Sequence, residues 1–402
     1  MHFIETIACY LLLILQSVFA IYMLIPLLSL LSFGIMKIFS RPPIDRYKKI
    51  IEKNTEFGII ITAHQETIFL VPLVDSLLKQ DYGNFFVYIV ADDCNVDALK
   101  FSDNRITVLR PPTPLNSKIR SIHYAIEKFI NKHNAIIIFD ADNVIHPSFL
   151  GIVNQYFQKG FKVVQADFKP KNTDTDYARM DAIGDMFNFF IERQSRMWVG
   201  LSAAIWGSGV AIDYDLYKEV EYSNLLGGFD KKLQSHLVQR VHRIAFAEEA
   251  ILYDEKITSG KSLQTQRTRW ISSYFKYFKE SFIIFWKGIT RPSFNLFYFG
   301  FITLRPPLFI VLGISFIFAV LNYFLVPVYA IIWPLIFLSF LVSFAAIVTI
   351  KGRDIRFTKT VFLLPVFAFR QFLALLKIKK AKKSFLKTVH SKVVFIDDIL
   401  KK

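Results

Sequence analysis

The chain has 402 residues, 53% hydrophobic and 16% aromatic, with 42 Phe and a formal charge of +16. A mean hydropathy of +0.36, gathered into a few clumps, argues against a single soluble globule. Cys9 and Cys94 are the two cysteines, in dissimilar segments, which argues against a disulfide framework or a cysteine metal site.

The first element is the run from Ile7 to Met36, which carries no charged residue and is interrupted only by Pro26, Gly and a few polar side chains. It lacks a small-residue cleavage site and reads as a retained membrane anchor rather than a signal peptide. Lys37, Arg41, Arg46, Lys48 and Lys49 follow it. From about residue 56 to about 290 the pattern is that of a soluble α/β unit. "FGIIITAH", "NFFVYIVADD", "RITVLRPP" and "AIIIFDAD" read as strands, and "ETIFLVPLVDSLLKQ" and "SKIRSIHYAIEKFI" as helices between them. Alternation of this kind predicts a largely parallel sheet with helices on both faces and a ligand site beyond the carboxyl ends of the strands. Asp92 and Asp93 end one strand, and Asp140 and Asp142 end another. Positions i and i+2 of an extended chain point the same way. Asp140 and Asp142 can therefore hold one hard divalent cation and leave it sites for phosphate oxygens. Taken alone, Asp-Ala-Asp-Asn before Pro147 is also ordinary turn chemistry.

Further on, "WISSYFKYFKESFIIFWKGI" mixes aromatics and lysines at helical spacing and predicts an amphipathic helix in the membrane surface. Pro306 to Ile350 has no charged residue and suits two crossings that turn near Asn322 to Pro327. Lys351, Arg353 and Arg356 follow. "VFLLPVFAFRQFLALLKIKKAKK" reads as a second interfacial helix, because Arg370 and Gln371 at its middle oppose a fourth crossing. Basic flanks on both sides of the α/β unit place it in the cytoplasm of a multi-pass membrane protein. The basic excess suits anionic lipid, with no nucleic-acid partner.

Five features occur in order: "ITAHQE" with Glu66; "YIVADDCNVD" with Asp92 and Asp93; "FDADN"; "GGFDKKLQSHL" with Asp230; and "QTQRTRW", which places Gln266, Arg269 and Trp270 in the spacing Q-x-x-R-W. The order resembles membrane-bound family 2 glycosyltransferases, the group of cellulose, chitin and hyaluronan synthases and bacterial exopolysaccharide synthases. The resemblance implies a GT-A fold, Rossmann-like with a mostly parallel sheet, and a hexosyltransferase in the cell membrane, the bacterial inner membrane being the expected location. It also implies inverting transfer from a nucleotide sugar, UDP-linked in the expected case, to a polysaccharide or glycolipid acceptor, with Mg²⁺ or Mn²⁺ as cofactor. On this resemblance Asp140 and Asp142 are the metal pair, and Glu66, Asp92 and Asp93 lie at the nucleotide base and ribose. Lys118, Arg267 and Arg269 lie near the diphosphate, Asp230 is the general base, and Gly207, Ser208 and Gly209 lie beside the acceptor. Gln266 and Trp270 complete the signature, Trp270 as a flat face for an acceptor sugar. "FLKTVH" resembles a terminal basic stretch of the family. The chain departs from the pattern at Phe229, where relatives carry an acid, and at Gln65, where they carry Asn. The expected units are an anchor (1–40), a GT-A domain (41–270), an interfacial helix (271–297), two crossings (298–350) and a basic interfacial region (351–402). Two further readings stay open: transfer to a polyprenyl phosphate or other lipid carrier, which Q-x-x-R-W disfavours, and a transporter with a nucleotide-sensing domain, which the uncharged run from Pro306 to Ile350 disfavours. A long secreted polymer would need partner subunits for export.

Overall fold

The computed structural model describes residues 2–97, 99–222, 227–325, 330–376 and 392–401. Helix α1 (His2–Phe39) is followed by β1 (Phe57–His64), α2 (Leu70–Leu78), β2 (Phe85–Asp92), β3 (Ile106–Leu109), α3 (Lys118–Glu127), β4 (Ala135–Asp140) and β5 (Val144–Ile145). Next come α4 (Phe149–Gln158), β6 (Val163–Pro170), α5 (Asp176–Phe189), one turn of π-helix (Phe190–Gln194), α6 (Ser195–Trp198), β7 (Val210–Asp213), α7 (Tyr214–Lys218), α8 (Phe229–Leu237) and β8 (Ala245–Asp254). Helices α9 (Gly260–Lys276), α10 (Phe278–Thr290), α11 (Phe294–Leu304), α12 (Leu308–Leu325), α13 (Ile332–Gly352), α14 (Ile355–Thr360) and α15 (Leu364–Leu376) follow the last strand.

The eight strands form one sheet in the order β3-β2-β1-β4-β7-β6-β8-β5. β3, β2, β1 and β4 run parallel, β7 is antiparallel to both neighbours, and β6 pairs parallel with β8 through an irregularity at Ala166 and Asp167. β1 and β4 are Ile-rich and buried on both faces. A strand with no water on either side needs no alternation, which is why both read as continuous apolar runs. The parallel half puts the ends of β1, β2 and β4 on one edge.

α1 contributes an apolar stretch, Thr6–Phe39, and α13 contributes Ile332–Gly352; both are long and apolar enough to cross a membrane. Two crossings were expected between Pro306 and Ile350. Of the two helices there, α13 is long enough by itself, and α12 is long enough together with α11, from which it is bent by 80° at a break where Pro306 and Pro307 deny the backbone its amide donors. Of the turn expected near Asn322 to Pro327, residues 326–329 lie outside the described residues, as does 377–391 with "FLKTVH" and the last lysines of the second interfacial segment. Gln16 on α1 accepts from Asn322 at 2.7 Å and from the Trp333 indole at 3.2 Å, polar contacts between helices that have no hydrophobic drive to associate in lipid.

The aromatic segment after residue 270 was expected to be one helix. It is divided at Tyr277 between α9 and α10, and the Q-x-x-R-W residues lie inside α9 rather than ahead of a helix. α10 and α11 then form a tight hairpin. A Cβ added at Gly288 would lie 2.2 Å from the Phe297 nitrogen, and one at Gly300 would lie 2.3 Å from the Phe285 nitrogen. Each glycine therefore lets the other helix's backbone approach. Gly288→Ala is expected to cost about 2–3 kcal/mol through forced separation, read as a lower melting temperature in detergent. Gly34→Ala, where a Cβ meets nothing within 4 Å, should leave melting unchanged or raise it. Equal melting for both variants would refute the close packing.

Candidate active site

β1 and β2 are aligned so that His64 faces Asp92, and Thr62 on β1 faces Asp140 on β4. Asp92 is 2% exposed. Its Oδ1 accepts from the Leu115 amide at 2.6 Å, and its Oδ2 accepts from the Asn116 amide at 2.9 Å and lies 3.0 Å from His64 Nδ1. Both oxygens thus hold the 115–116 loop against the strand ends. Asp93 turns outward with φ +54°, and its carboxylate accepts from Gln65 Nε2 at 2.9 Å. Asp92 and Glu66 line the main cavity, whose wall Asp93 does not join.

The loop fixed by Asp92 delivers α3. Ser117 caps that helix by accepting from the Arg120 amide, and Lys118 begins it. The Lys118 ammonium donates to Asp140 and to the Gly207 carbonyl, the latter at 2.7 Å. It also stands 5.0 Å from the centre of the Phe229 ring, so a cation–π contact occupies the position where relatives carry an acid. Three separate elements meet at this one ammonium.

Beyond β4 the chain is pinned by Asn143, which has no exposed surface. Its Oδ1 accepts from the Asp140 amide at 3.0 Å and from the Ser208 hydroxyl, and its Nδ2 donates to Asp254 at 3.2 Å. Ser208 also accepts from the Asp140 amide at 3.1 Å. Gly209, at φ +59°, allows a turn that other residues would strain. Its amide donates to Ile138 at 2.9 Å. Gly207 lines the cavity, whereas Ser208 and Gly209 hold its floor from behind. Asp254 leads to Lys256, whose ammonium is 2.9 Å from Asp254 and 2.6 Å from Asp185. Burial alone would depress this amine; Asp185, Asp254 and Asp181 outweigh it and keep it protonated.

α9 supplies Gln266, Arg267, Arg269 and Trp270, all on the cavity wall. Arg267 donates to Asp181 on α5 at 2.6 Å and lies 4.2 Å from the Trp270 ring centre. Its fork is committed to anchoring α9. Burial depresses the Arg269 guanidinium, and the charge of Asp140 opposes that, so Arg269 is the arginine of the signature that feels the Asp140 carboxylate. Trp270 meets Trp206 edge to face at 5.2 Å, and Arg193 from the π-helix lies 4.9 Å from the Trp206 ring. Gln266 Oε1 is buried without a hydrogen-bond partner among the described residues.

Asp230 stands in the first turn of α8, after Gly227 and Gly228 at φ +65° and +67°. A Cβ at Gly228 would lie 2.6 Å from the Tyr277 ring, so glycine is needed for both the turn and the contact. Asp230 lines the cavity and accepts no hydrogen bond from the described residues. Burial raises the Tyr277 hydroxyl to about 12, and the Asp230 charge adds to that shift.

One cavity of about 1710 Å³ thus joins Glu66, Asp92, Lys118, Asp140, Asp142, Gly207, Asp230, Gln266, Arg267, Arg269 and Trp270. No role was expected of Asn143, Lys256 or Trp206, and Asp254 stood only as an alternative to Asp230 as the base. Asn143 lay in plain view after Asp142, and its polar neighbours come from segments too distant in sequence to signal the contact.

Residues 54–273 match the family described as glycosyltransferase like family 2. No curated protein matches the chain. Among solved structures, the mannosyltransferase PcManGT from Pyrobaculum calidifontis, in complex with GDP-Man and Mn²⁺, is 11% identical over 82% of this chain and 98% of its own, with a TM-score of 0.47. TarS of S. aureus is 14% identical over 57% of this chain and 39% of its own, with a TM-score of 0.39. GalNAc-T7 with UDP, GalNAc and Mn²⁺ is 12% identical over 51% of this chain and 44% of its own, with a TM-score of 0.40. The chain therefore spans well under half the length of TarS. The mixed sheet is that of a GT-A fold, with apolar helices at both ends suited to membrane association. Because the match takes in every strand of that sheet and more than half of the 402 residues, the chain belongs to the glycosyltransferase family 2-like proteins.

Proposed function

We propose that the protein is an inverting hexosyltransferase that works at the cytoplasmic face of a membrane and takes its sugar from a nucleotide diphosphate donor, UDP-linked in the expected case. The observation that carries this reading is the shared cavity: the Asp140/Asp142 pair, the cations Lys118 and Arg269, and the carboxylate of Asp230 all open into it. Family membership favours an enzyme over a nucleotide-sensing transporter.

Asp140 and Asp142 fit a Mg²⁺ or Mn²⁺ ion by their chemistry. Both are hard oxygen donors at alternate positions, and no cluster of three or more His, Cys, Asp or Glu forms among the described residues. Two carboxylates leave most coordination sites to diphosphate and water. The bound ion would neutralise charge on the departing diphosphate. Lys118 can exchange Asp140 for a phosphate oxygen, and Arg269 offers a planar fork to the same group. Glu66 and Asp93 flank the end of β1, where a base or ribose would lie, while Asp92 holds the loop that carries Lys118. Asp230 takes the proton of the attacking hydroxyl. Trp206 and Trp270 form an aromatic corner for the acceptor, and Gln266 has an acceptor oxygen to offer a hydroxyl.

Asp140→Asn or Asp142→Asn should abolish the divalent-dependent part of donor binding, measured by calorimetry with UDP-sugar and Mn²⁺, while the melting temperature holds. Wild-type turnover by either variant in chelator would refute the metal pair. For Asp230→Asn, donor affinity should stay near wild type while transfer falls by roughly 10²–10⁴-fold, the scale of general-base catalysis; lost donor affinity would instead place Asp230 in the nucleotide site. The basic flanks support a cytoplasmic orientation, so a cysteine introduced at exposed Glu52 should react with an impermeant maleimide only after cells are opened. Labelling of intact cells would reverse the topology.

A further inference from the structure

The cavity extends past the groups assigned to sugar transfer. It continues between α12, α13 and α15, where Phe309, Leu312, Phe337, Phe344, Leu364 and Ala368 line it. The break between α11 and α12 opens it there, and Arg305, Pro306 and Pro307 form part of the wall. At the break between α11 and α12 and along α12 to α15 the polar lining side chains are Glu192, Tyr274, Thr303, Arg305, Thr358 and Gln371. Five of these are already engaged, the Tyr274 hydroxyl donating to Leu304 at 2.7 Å. Thr303 donates to Phe299 at 2.9 Å, Arg305 pairs with Glu192 at 2.9 Å, and Thr358 lies 3.4 Å from Thr349.

A buried sugar ring brings several hydroxyls, each needing a partner once out of water. This half of the cavity offers almost none, so a glycan chain does not suit it. A hydrocarbon tail needs no such partners and gains by burial. α13 is itself long and apolar enough to cross a membrane, so a tail lying along it stays at membrane level.

We propose that this half of the cavity holds the hydrocarbon tail of the acceptor, and that the acceptor is a membrane lipid presenting a free hydroxyl to Asp230. The proposal rests on the transfer reaction proposed above and names its acceptor class. Asp230 selects the headgroup: a hydroxyl has a proton to give, whereas a phosphate arrives charged and meets a like charge. In the transfer the lipid oxygen bonds to the anomeric carbon. The bond from that carbon to the diphosphate oxygen breaks, and the nucleoside diphosphate leaves with the electron pair. The proton passes to Asp230, and the product is a glycolipid inverted at the anomeric centre.

The test uses the full chain in phosphatidylcholine vesicles with Mn²⁺ and radiolabelled UDP- and GDP-sugars. The vesicles carry dioleoylglycerol, ceramide or a polyprenyl phosphate, or else soluble oligosaccharides are supplied. Label should move into the organic phase with a hydroxyl lipid. Leu312→Trp and Ala368→Phe, which fill the tail space, should each cut that product about tenfold or more, with UDP affinity within about twofold as the check on folding. Label in a water-soluble or alcohol-insoluble glycan, product with polyprenyl phosphate alone, donor hydrolysis with no lipid product, or full transfer by both filled variants would each overturn the proposal. Failure of the wild type to bind or cleave any donor would instead overturn the transferase reading beneath it.

Discussion

How the chain leaves β4 governs the rest of the site. Asp140 ends a strand buried on both faces, and the backbone must turn there without stranding its amides. Asn143 solves this from inside the turn: its carbonyl takes the Asp140 amide and the Ser208 hydroxyl, and its amide nitrogen reaches Asp254. Two distant segments, those of Ser208 and Asp254, are thereby fixed to the end of β4 through one side chain. The Asp140 carboxylate is left facing the cavity, where Lys118 meets it, and Lys118 is in turn held in place by the loop bound to Asp92. The backbone on either side of this carboxylate is thus placed by uncharged donors and acceptors, and the carboxylate itself pairs with Lys118.

A second set of contacts ties this site to α13, which is long and apolar enough to cross a membrane. α5 carries Asp181 and Asp185, which pair with Arg267 and Lys256. Its Phe187 packs at 4.6 Å on Phe344 of α13. One helix therefore faces Arg267 of α9 on one side and α13, long and apolar enough to cross a membrane, on the other. Removing one partner of a buried ion pair costs about 3–5 kcal/mol, so α9 is held to α5 tightly. The π-helical turn after α5 continues the link, because Arg193 within it supports Trp206, and Trp206 supports Trp270. The Trp206–Trp270 corner is thus built on the same element that touches α13, and the cavity runs along that element from Asp140 and Asp142 toward α13.

Much of this was legible in the chain. The Ile-rich strands announce themselves because both their faces are buried, and the acids at their ends follow from the topology of parallel sheets. Asp140 and Asp142 were found from their place at a strand end, Asp230 and the α9 residues from the resemblance to the family, and all share one cavity. Other features were hidden for physical reasons. The division at Tyr277 leaves the aromatic and lysine periodicity almost unbroken, so one helix and two look alike in sequence. The bend at Pro306 and Pro307 keeps the composition of a crossing while changing its path. Arg267 looks equivalent to Arg269, and only the fold shows that one is committed to Asp181 while the other feels Asp140. The roles of Asn143 and Lys256 depend on partners far away in sequence, which no local pattern records.

The central claim is that a single cavity holds the donor diphosphate at the end of β4 with Asp230 and the membrane-level space beyond it. The most direct test is an electron cryomicroscopy structure of the full chain in a lipid nanodisc with UDP and Mn²⁺. The expected result is a Mn²⁺ ion at roughly 2.0–2.2 Å from oxygens of Asp140 or Asp142 and of the diphosphate, with Lys118 turned from Asp140 to phosphate. UDP and metal bound away from the end of β4, or lipid density filling the diphosphate position, would contradict the account.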